Sequence, residues 1–502
     1  MSNNRTIEPA TWPDRERLPN THLFNDPRWW MFCALILALK FCLLAFDPLP
    51  KFFMGDSGSY LWTALTGWIP VDRSYFYGYL VRWVALSTES LTGLVLLQSF
   101  VSALTVLFVA HISRSMFGLS ARGYYIIGFL CALDPFQLVW ERYVMTETIS
   151  LFFYVVGLYF SLLYVKHRSI RHLAIAQVLW VLLIGFRMSY LLVVQVSAVL
   201  LPILAFNPLL LESWRNLRGA QTGRFRCLRL GLVHLVTSVA LMLLLHGGYK
   251  KVNGLLTGRE SAYLYGTGLH LLSFWAPILV PADASDERLA RIIEQGDEFH
   301  IKELTARNSQ RHVPGHLIDR WEKVEPAASR ANQIAKTTAL HALRRNPLQV
   351  LGLSAQTFAQ YWNLKDLRYY ASIDLGHNDL TLEQRSMLAE RFHFATDGRI
   401  NGASPTVLQR YFLSSWPYCY FLLLSPIWGV FAIYFAREKP LTLLLVLHLV
   451  ITLATVLTFA VAPSFRYLQP ASVLALLSIA LCFPAISSNL SFEQHFGREE
   501  RS

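Results

Sequence analysis

Residues 29–46 read WWMFCALILALKFCLLAF, an apolar run that carries a single charge, at Lys40. A helix needs about 20 predominantly apolar residues to cross a bilayer, and this run is close to that length. Two tryptophans open the run, as is common where a helix enters the membrane interface. The stretch therefore predicts a membrane-spanning helix.

Nine further apolar runs follow along the chain. They occupy roughly 91–112, 124–140, 147–165, 172–186, 190–206, 228–246, 412–435, 441–460 and 467–487. The chain of 502 residues is 54% hydrophobic and 16% charged, whereas soluble proteins carry about 25% charged residues. We therefore predict an all-α polytopic membrane protein with about ten transmembrane helices. The third and fifth runs are short for a full span.

Lysine and arginine in the short loops predict the orientation, because such residues mark the cytoplasmic side. They follow the second, fourth, sixth and eighth runs, and they also occur in the N-terminal tail: Arg114, Arg122; Lys166, Arg168, Arg171; Arg215, Arg218, Arg224, Arg226, Arg229; Arg437, Lys439; Arg5, Arg15, Arg17, Arg28. With ten spans, all of these positions lie on one side, so both termini are expected in the cytoplasm. We interpret the net charge of +12 as charge facing anionic membrane lipids. A nucleic-acid partner is not expected.

The predicted spans divide the chain into five regions. They are a cytoplasmic tail (1–28), an N-terminal transmembrane module (29–246) with an external loop (47–90), an external domain (247–411), C-terminal transmembrane helices (412–487) and a second cytoplasmic tail (488–502). Aromatic and basic residues in the external loop predict helices that lie at the headgroup level. The polar middle of the external domain predicts a mostly helical fold. No ER-retention signal occurs in the C-terminal GREERS, so we expect a bacterial inner membrane with the site on its periplasmic face.

The external loop contains Gly55-Asp56-Ser57-Gly58, a string that also surrounds the nucleophilic serine of chymotrypsin-like proteases. That serine needs a histidine and a second carboxylate on a positioning scaffold, and the protease motif lies in an all-β soluble domain unlike this chain. We expect Ser57 to be the N-cap of the helix that follows. Asp56, kept ionised by the nearby helix N-terminus, is the candidate functional residue. The alternative is that Asp56 only caps the helix or pairs with Arg73.

Further charged residues are predicted on the same membrane face. Glu147 ends the second external loop and leads into the fourth span, where it could also serve as a helix cap. Four cations lie where they could meet an anion: Arg187, Lys250, Lys251 and Arg466. Taken singly, each cation is typical of an interfacial anchor. Together with Asp56 and Glu147, they indicate a pocket for a lipid phosphate beside a general base.

The order of these features resembles the GT-C superfamily of membrane glycosyltransferases, the class of the protein mannosyltransferases and the aminoarabinose transferases. The matching parts are an acid before an interfacial helix, a proline and then an acid in the second loop, an arginine after the fifth span, and a late Arg-Tyr pair followed by proline: Gly55-Asp56-Ser57 with Tyr60, Pro135 with Glu147, Arg187, and Arg466-Tyr467 with Pro470. The resemblance covers most of the chain in the right order, although residues 247–411 match nothing in the class.

The resemblance implies that a sugar passes from a polyprenyl-phosphate donor to a glycan, lipid or protein acceptor at the external face. Asp56 would be the general base, and Glu147 would orient the acceptor or Asp56. The implied donor-phosphate ligands are Arg187, Arg466, Lys250 and Lys251, and the implied substrate contacts are Tyr60, Arg73, Tyr77 and Tyr467. Attack opposite the phosphate implies inversion at the anomeric carbon.

Two points stay open at this stage. No cofactor is required and no metal ligand set is predicted, but a divalent cation held by Asp56 and Glu147 is an alternative. The other functions are a transporter or flippase of lipid-linked sugars and an inactive scaffold of the same fold. Transporters usually carry ionisable residues at the membrane midplane and internal repeats. Here Lys40 is the one charge well inside a predicted span, and no repeat is visible.

Overall fold

The structure is a computed structural model that describes residues 25–215, 221–436, 438–460 and 462–481. In the first half it contains α1 (Pro27–Phe46), α2 (Met54–Thr66), α3 (Phe76–Val81), α4 (Thr92–Ser115), α5 (Ala121–Ala132), α6 (Pro135–Trp140), α7 (Glu147–His167), α8 (Ile170–Phe186), α9 (Leu191–Arg215) and α10 (Gln221–Thr257). In the second half it contains α11 (Thr267–Phe274), α12 (Glu287–Glu294), α13 (Leu304–His312), α14 (Leu317–Val324), α15 (Ala328–Arg345), α16 (Pro347–Tyr361), α17 (Leu364–Asp374), α18 (Leu382–Phe392), α19 (Val407–Leu413), α20 (Trp416–Leu423), α21 (Ser425–Phe435) and α22 (Lys439–Phe459). Within the described ranges, extended pairing is confined to two isolated bridges, Lys51–Tyr143 and Asp379–Arg399, which confirms the predicted all-helical class.

Six of the described helices are long and apolar enough to cross a membrane. They are α1, α4, α7, Met188–Asn207, Cys227–Thr257 and α22, and a seventh span results if α20 and α21, which meet at 51°, form one bent span. Two shorter apolar helices, α8 and Phe465–Leu481, accompany them. A polytopic membrane protein is therefore supported, but the predicted count of ten spans is not reached. The two predicted tails lie largely outside the described residues, as does the end of the run 467–487.

The predicted span 124–140 is wrong as a single helix. Helix α5 ends at Ala132, and Asp134 caps the separate six-residue helix α6, its Oδ1 accepting from the backbone N–H of Phe136 at 2.7 Å. The physical reason is Pro135, since a residue before proline is disfavoured in the helical conformation and proline suits the first helical position. Every residue of α6 is buried.

The predicted boundary between the transmembrane module and the external domain falls inside a helix. Helix α10 continues through residue 246 and ends at Thr257. Gly258 follows with φ +65°, the left-handed conformation in which glycine commonly ends helices. The helices that follow pack around a core of their own, in which Trp321, Phe299 and Ile318 are buried.

The two loops that the sequence predicts to be external are joined by backbone hydrogen bonds. The Lys51 N–H donates to the Arg142 carbonyl at 2.8 Å, and the Val144 N–H donates back to the Lys51 carbonyl at 2.9 Å. At the next residue, the side-chain oxygen of Asn401 accepts a hydrogen bond from the Phe52 N–H at 3.1 Å. These contacts fix the start of α2 beside the start of α7, so Asp56 and Glu147 face the same space.

A buried ion pair lies beneath these loops. Lys40 of α1 donates to Glu141 and, at 3.0 Å, to the carbonyl of Ala132. Ser102 donates to the same Glu141 carboxylate at 2.6 Å. Lys40 and Glu141 are almost completely buried, and a charge at this depth is costly unless it is paired. The lysine that stands alone in the sequence of its span is therefore paired in three dimensions.

Candidate functional site

Asp56 lies in the first turn of α2, which begins at Met54, four residues earlier than a helix capped by Ser57 would. The N-cap is Phe53, so the prediction that Ser57 caps this helix is wrong. The reason is the backbone pairing of Lys51 with Arg142 and Val144, which fixes the chain direction before Ser57. The Ser57 hydroxyl instead accepts from the Phe53 N–H at 3.0 Å and donates to the Val144 carbonyl at 2.9 Å. Ser57 therefore joins the two loops and is fully buried.

Arg466 brings the two predicted catalytic carboxylates together. Its guanidinium forms ion pairs with Asp56 and with Glu147, although the three residues are far apart in the sequence. Arg466 lies in a short 3₁₀ turn, Phe465–Leu468, whose N-cap Ser464 accepts from the Arg466 N–H at 3.1 Å. The arginine therefore reaches both carboxylates from a turn whose backbone is fixed.

Glu147 has a second cationic partner. It is the first residue of α7 and is fully buried, and the Nη1 of Arg187 lies 3.1 Å from its Oε1. Arg187 is the residue at which α8 ends. Burying a carboxylate is costly unless it is paired, and two guanidinium groups satisfy that condition here.

Arg73 completes the group from the opposite side of Asp56. It forms an ion pair with Asp56, donates to the Gly55 carbonyl at 2.8 Å and pairs with Asp72 at 2.9 Å. The ion pair with Asp56 that the sequence left as an alternative is therefore present. Three carboxylates and three guanidinium groups meet at this point, and we call Asp56, Asp72, Arg73, Glu147, Arg187 and Arg466 the charged cluster.

The charged cluster sets the ionisation of Asp56. Burial acts to raise the pKa of this carboxyl, but the charges of Arg466 and Arg73 outweigh burial and hold the pKa below its ordinary value. Burial, together with the negative charge of Asp56, raises the pKa of the nearby Tyr60 well above its ordinary value. At neutral pH the site therefore combines an ionised carboxylate with a neutral phenol that can donate a hydrogen bond.

The three tyrosines predicted to contact the substrate, Tyr60, Tyr77 and Tyr467, differ in how deeply they are buried. Tyr60 and Tyr77 pack edge to face with their ring centroids 5.0 Å apart. The Tyr77 hydroxyl donates to Gln98 at 2.5 Å, and the ring is fully buried behind the charged cluster. Tyr467 follows Arg466 in the same turn and is half-buried. A further ring, that of Phe53, was not predicted, and its centre lies 5.6 Å from the guanidinium carbon of Arg466.

Lys250 and Lys251 are not among the residues of the charged cluster. Both are on α10, where the Lys250 ammonium lies 5.4 Å from the centre of the Tyr263 ring and Lys251 is exposed. Among the described residues, no ion pair connects either lysine to Asp56 or Glu147.

Asp374, which was not identified from the sequence, is connected to the turn of Arg466 through Ser464. Asp374 ends α17 and is buried, and the Ser464 hydroxyl donates to its carboxylate at 2.7 Å. Burial raises the pKa of Asp374 to about 7, in spite of that hydrogen bond and the charge of Arg466. No sequence pattern marks Asp374, because residues 247–411 match no part of the GT-C class. Asp72 was also missed, although its position next to Arg73 was a usable signal.

The described residues contain no group of three or more His, Cys, Asp or Glu side chains that could hold a metal ion. Arg466 bridges Asp56 and Glu147, the two carboxylates considered for a divalent cation.

Comparisons with known proteins add no relative. No protein-family model matches the chain, and no curated protein matches it. The chemistry of the site therefore rests on the side chains themselves. Guanidinium groups are well suited to bind phosphate oxygens, and a carboxylate within hydrogen-bond reach of a hydroxyl can accept its proton.

Proposed function

We propose that this chain is an integral-membrane glycosyltransferase that moves a sugar from a polyprenyl-phosphate donor to an acceptor, with Asp56 as general base. The observation that carries the proposal is that Arg466 pairs with both Asp56 and Glu147, and that Arg187 pairs with the same Glu147. One carboxylate for the acceptor and two guanidinium groups for a phosphate are the parts that this reaction needs. Their order along the chain is also that of the GT-C superfamily, which the sequence resembles.

The donor phosphate would bind at Arg466 and Arg187. As the bond between the sugar and the phosphate breaks, negative charge grows on the phosphate, and two fixed guanidinium groups stabilise that charge. The leaving phosphate has a second pKa of about 6, so it departs near neutral pH without a general acid. The acceptor attacks from the side opposite the phosphate, which inverts the anomeric carbon.

Donor binding also resolves an apparent difficulty with Asp56. A carboxylate whose pKa is held down by two arginines is a weak base. The donor phosphate competes with Asp56 and Glu147 for the guanidinium of Arg466, and its negative charge offsets the attraction that lowers the Asp56 pKa. Asp56 thus becomes a stronger base when the donor is in place, while Glu147 keeps Arg187 and orients the acceptor.

The proposed site lies on the external, periplasmic side of a bacterial inner membrane. Nucleotide sugars are absent there, so a lipid-linked donor is the suitable sugar source. We propose no resident cofactor, and we assign Tyr60, Arg73 and Tyr467 to the walls that contact the sugar.

The test measures transfer of label from a panel of radiolabelled polyprenyl-phosphate sugars to a membrane extract, with purified protein in nanodiscs. Wild type is compared with Asp56→Asn and with Asp397→Asn, a matched control at an exposed position outside the charged cluster. We expect wild type and the control to transfer label and Asp56→Asn to be slower by about a hundredfold or more, the range for loss of a general base. Thermal unfolding of each variant checks that the fold is retained.

Two results would overturn the proposal. Equal transfer by Asp56→Asn and wild type would remove Asp56 from the role of base. A wild type that binds donor but transfers no label would remove the transferase function. In that event, movement of donor between the leaflets of a vesicle would favour the flippase alternative over the inactive scaffold.

A further inference from the structure

A second set of ionisable side chains lies on the external-domain side of Asp56. It consists of Asp72 and Arg73 from the first external loop, His270 from α11, and Arg311 and His312 from the end of α13. We call these five residues the outer cluster. It shares Asp72 and Arg73 with the charged cluster, while the two histidines and Arg311 come from the external domain.

Close packing holds the loop against the external domain at this point. The Tyr265 N–H donates to the Val71 carbonyl at 2.8 Å. A Cβ at Gly266 would lie 3.2 Å from the Cβ of Asp72, so the backbone passes close to Asp72 at this point. Helix α11 begins at the next residue and packs against α13. The outer cluster is therefore a fixed junction.

The two arginines of the outer cluster are neutralised to different extents. Asp72 interacts electrostatically with His270 and Arg311, but it already holds Arg73 in a two-point contact of 2.9 and 3.2 Å. Arg73 also pairs with Asp56, which Arg466 engages as well, and the half-exposed side chain of Glu322 lies 3.9 Å from Arg311. Arg311 is therefore the less neutralised arginine, because its contact with Glu322 is long and Asp72 is already bound to Arg73.

Two buried atoms of the outer cluster point to a ligand. In the part of the chain that the structure describes, the Nδ1 of His270 and the Nε of Arg311 are shielded from solvent and have no hydrogen-bond partner. A buried donor without a partner costs about 1–3 kcal/mol. A phosphate or sulfate group supplies acceptor oxygens that would satisfy both atoms and would give Arg311 a closer anionic partner than Glu322.

We propose that the outer cluster binds a phosphate group carried by the acceptor, and that it holds the attacking hydroxyl against Asp56. This inference rests on the proposed transferase function and narrows its acceptor to molecules with a phosphate near the site of glycosylation. The donor phosphate is assigned to the membrane side of Asp56, at Arg187 and Arg466. The acceptor phosphate is assigned to the opposite side, so Asp56 lies between the two.

The histidines make binding dependent on pH. Burial, the charge of Arg311 and the neighbouring His312 and Arg73 lower the pKa of His270 to about 4, against the opposing charge of Asp72. The imidazole is therefore neutral at pH 7 in the empty site. A bound dianion favours the protonated ring, so affinity should increase as the pH falls. A binding site formed by arginine alone would not respond in this way.

The test measures binding of inorganic sulfate, which stays a dianion throughout, by calorimetry in nanodiscs of zwitterionic lipid at constant ionic strength. We expect wild type to bind sulfate more tightly at about pH 6 than at about pH 8. Arg311→Gln should weaken binding by about tenfold or more, the effect of losing one charge-assisted hydrogen bond. His270→Gln should remove the pH dependence. Arg311→Lys should restore part of the affinity, and Arg291→Gln, an exposed control on α12, should change nothing.

Competition then distinguishes the sources of phosphate. A soluble sugar phosphate that displaces sulfate indicates a water-soluble acceptor, and phosphatidic acid in the nanodisc that does so indicates a lipid acceptor. The inference is wrong if wild type does not bind sulfate, if Arg311→Gln binds it as tightly as wild type, or if neither phosphate competes. Because binding requires no donor and no transfer, these failures are separate from a failure of the transferase assay.

Discussion

Arg466 should be a main stabilising residue as well as a functional one. Its side chain is 14% exposed and pairs with Glu147, which is fully buried, and with Asp56, which is 19% exposed. Arg466→Gln removes the positive charge that both carboxylates share. Glu147 then retains only Arg187, and Asp56 retains only Arg73.

The size of the effect follows from what remains buried. Removing one partner of a buried ion pair costs about 3–5 kcal/mol, because a charge is left without compensation. Since each carboxylate keeps one arginine, we expect Arg466→Gln to cost about 3 kcal/mol, at the lower end of that range. Replacing Glu147 as well removes the carboxylate that lost its partner. The double variant should therefore be more stable than the sum of the single variants indicates.

The assay is a double-mutant cycle of wild type, Arg466→Gln, Glu147→Gln and the double variant, with unfolding followed in mixed micelles. We expect a coupling free energy between about 1 and 3 kcal/mol, the range for residues in direct contact. Additive effects within about 0.5 kcal/mol would refute the reasoning. They would mean that Arg466 and Glu147 do not share an ion pair in the folded protein.

Two further predictions concern the residues around the site. The pKa of Asp374 is raised to about 7 by burial, so the folded state favours its protonated form. That contribution to stability is complete below the ordinary pKa of about 4 and is lost as the pH rises through 7. Asp374→Asn should therefore flatten the dependence of the unfolding midpoint on pH, and should be more stable than wild type above pH 7; parallel curves for the two proteins would contradict this. The second prediction concerns helix packing. A Cβ at Gly268 would lie 2.0 Å from the Asn332 carbonyl oxygen, whereas a Cβ at Gly352 meets nothing within 4 Å. Gly268→Ala should destabilise the external domain by at least about 1–3 kcal/mol in a thermal melt, and Gly352→Ala should stabilise it by about 0.5–1 kcal/mol; equal effects would show that α11 and α15 are not in close contact.

The sequence by itself predicted the parts of this protein that depend on local composition. Long apolar runs predict membrane-crossing helices whatever their neighbours, since the bilayer requires each span to satisfy its own backbone. Asp56, Glu147, Arg187 and Arg466 were also identified from their charge and their position along the chain. An ionised residue at the end of an apolar run is costly unless it is paired or has a function. The errors at 124–140 and Ser57 came from local features as well, a proline and a loop pairing that shift helix ends.

The tertiary structure decided which charges meet. Asp56 and Arg466 are separated by most of the chain, and no spacing rule connects them; the pairing follows from the joined external loops and the turn at Ser464. The same packing left Lys250 beside an aromatic ring, and it brought Asp374 under Arg466 and His270 towards Asp72. Electrostatic energies depend on distance and burial, and both are properties of the folded chain. The sequence therefore supplied the charged residues, and the fold determined how they pair.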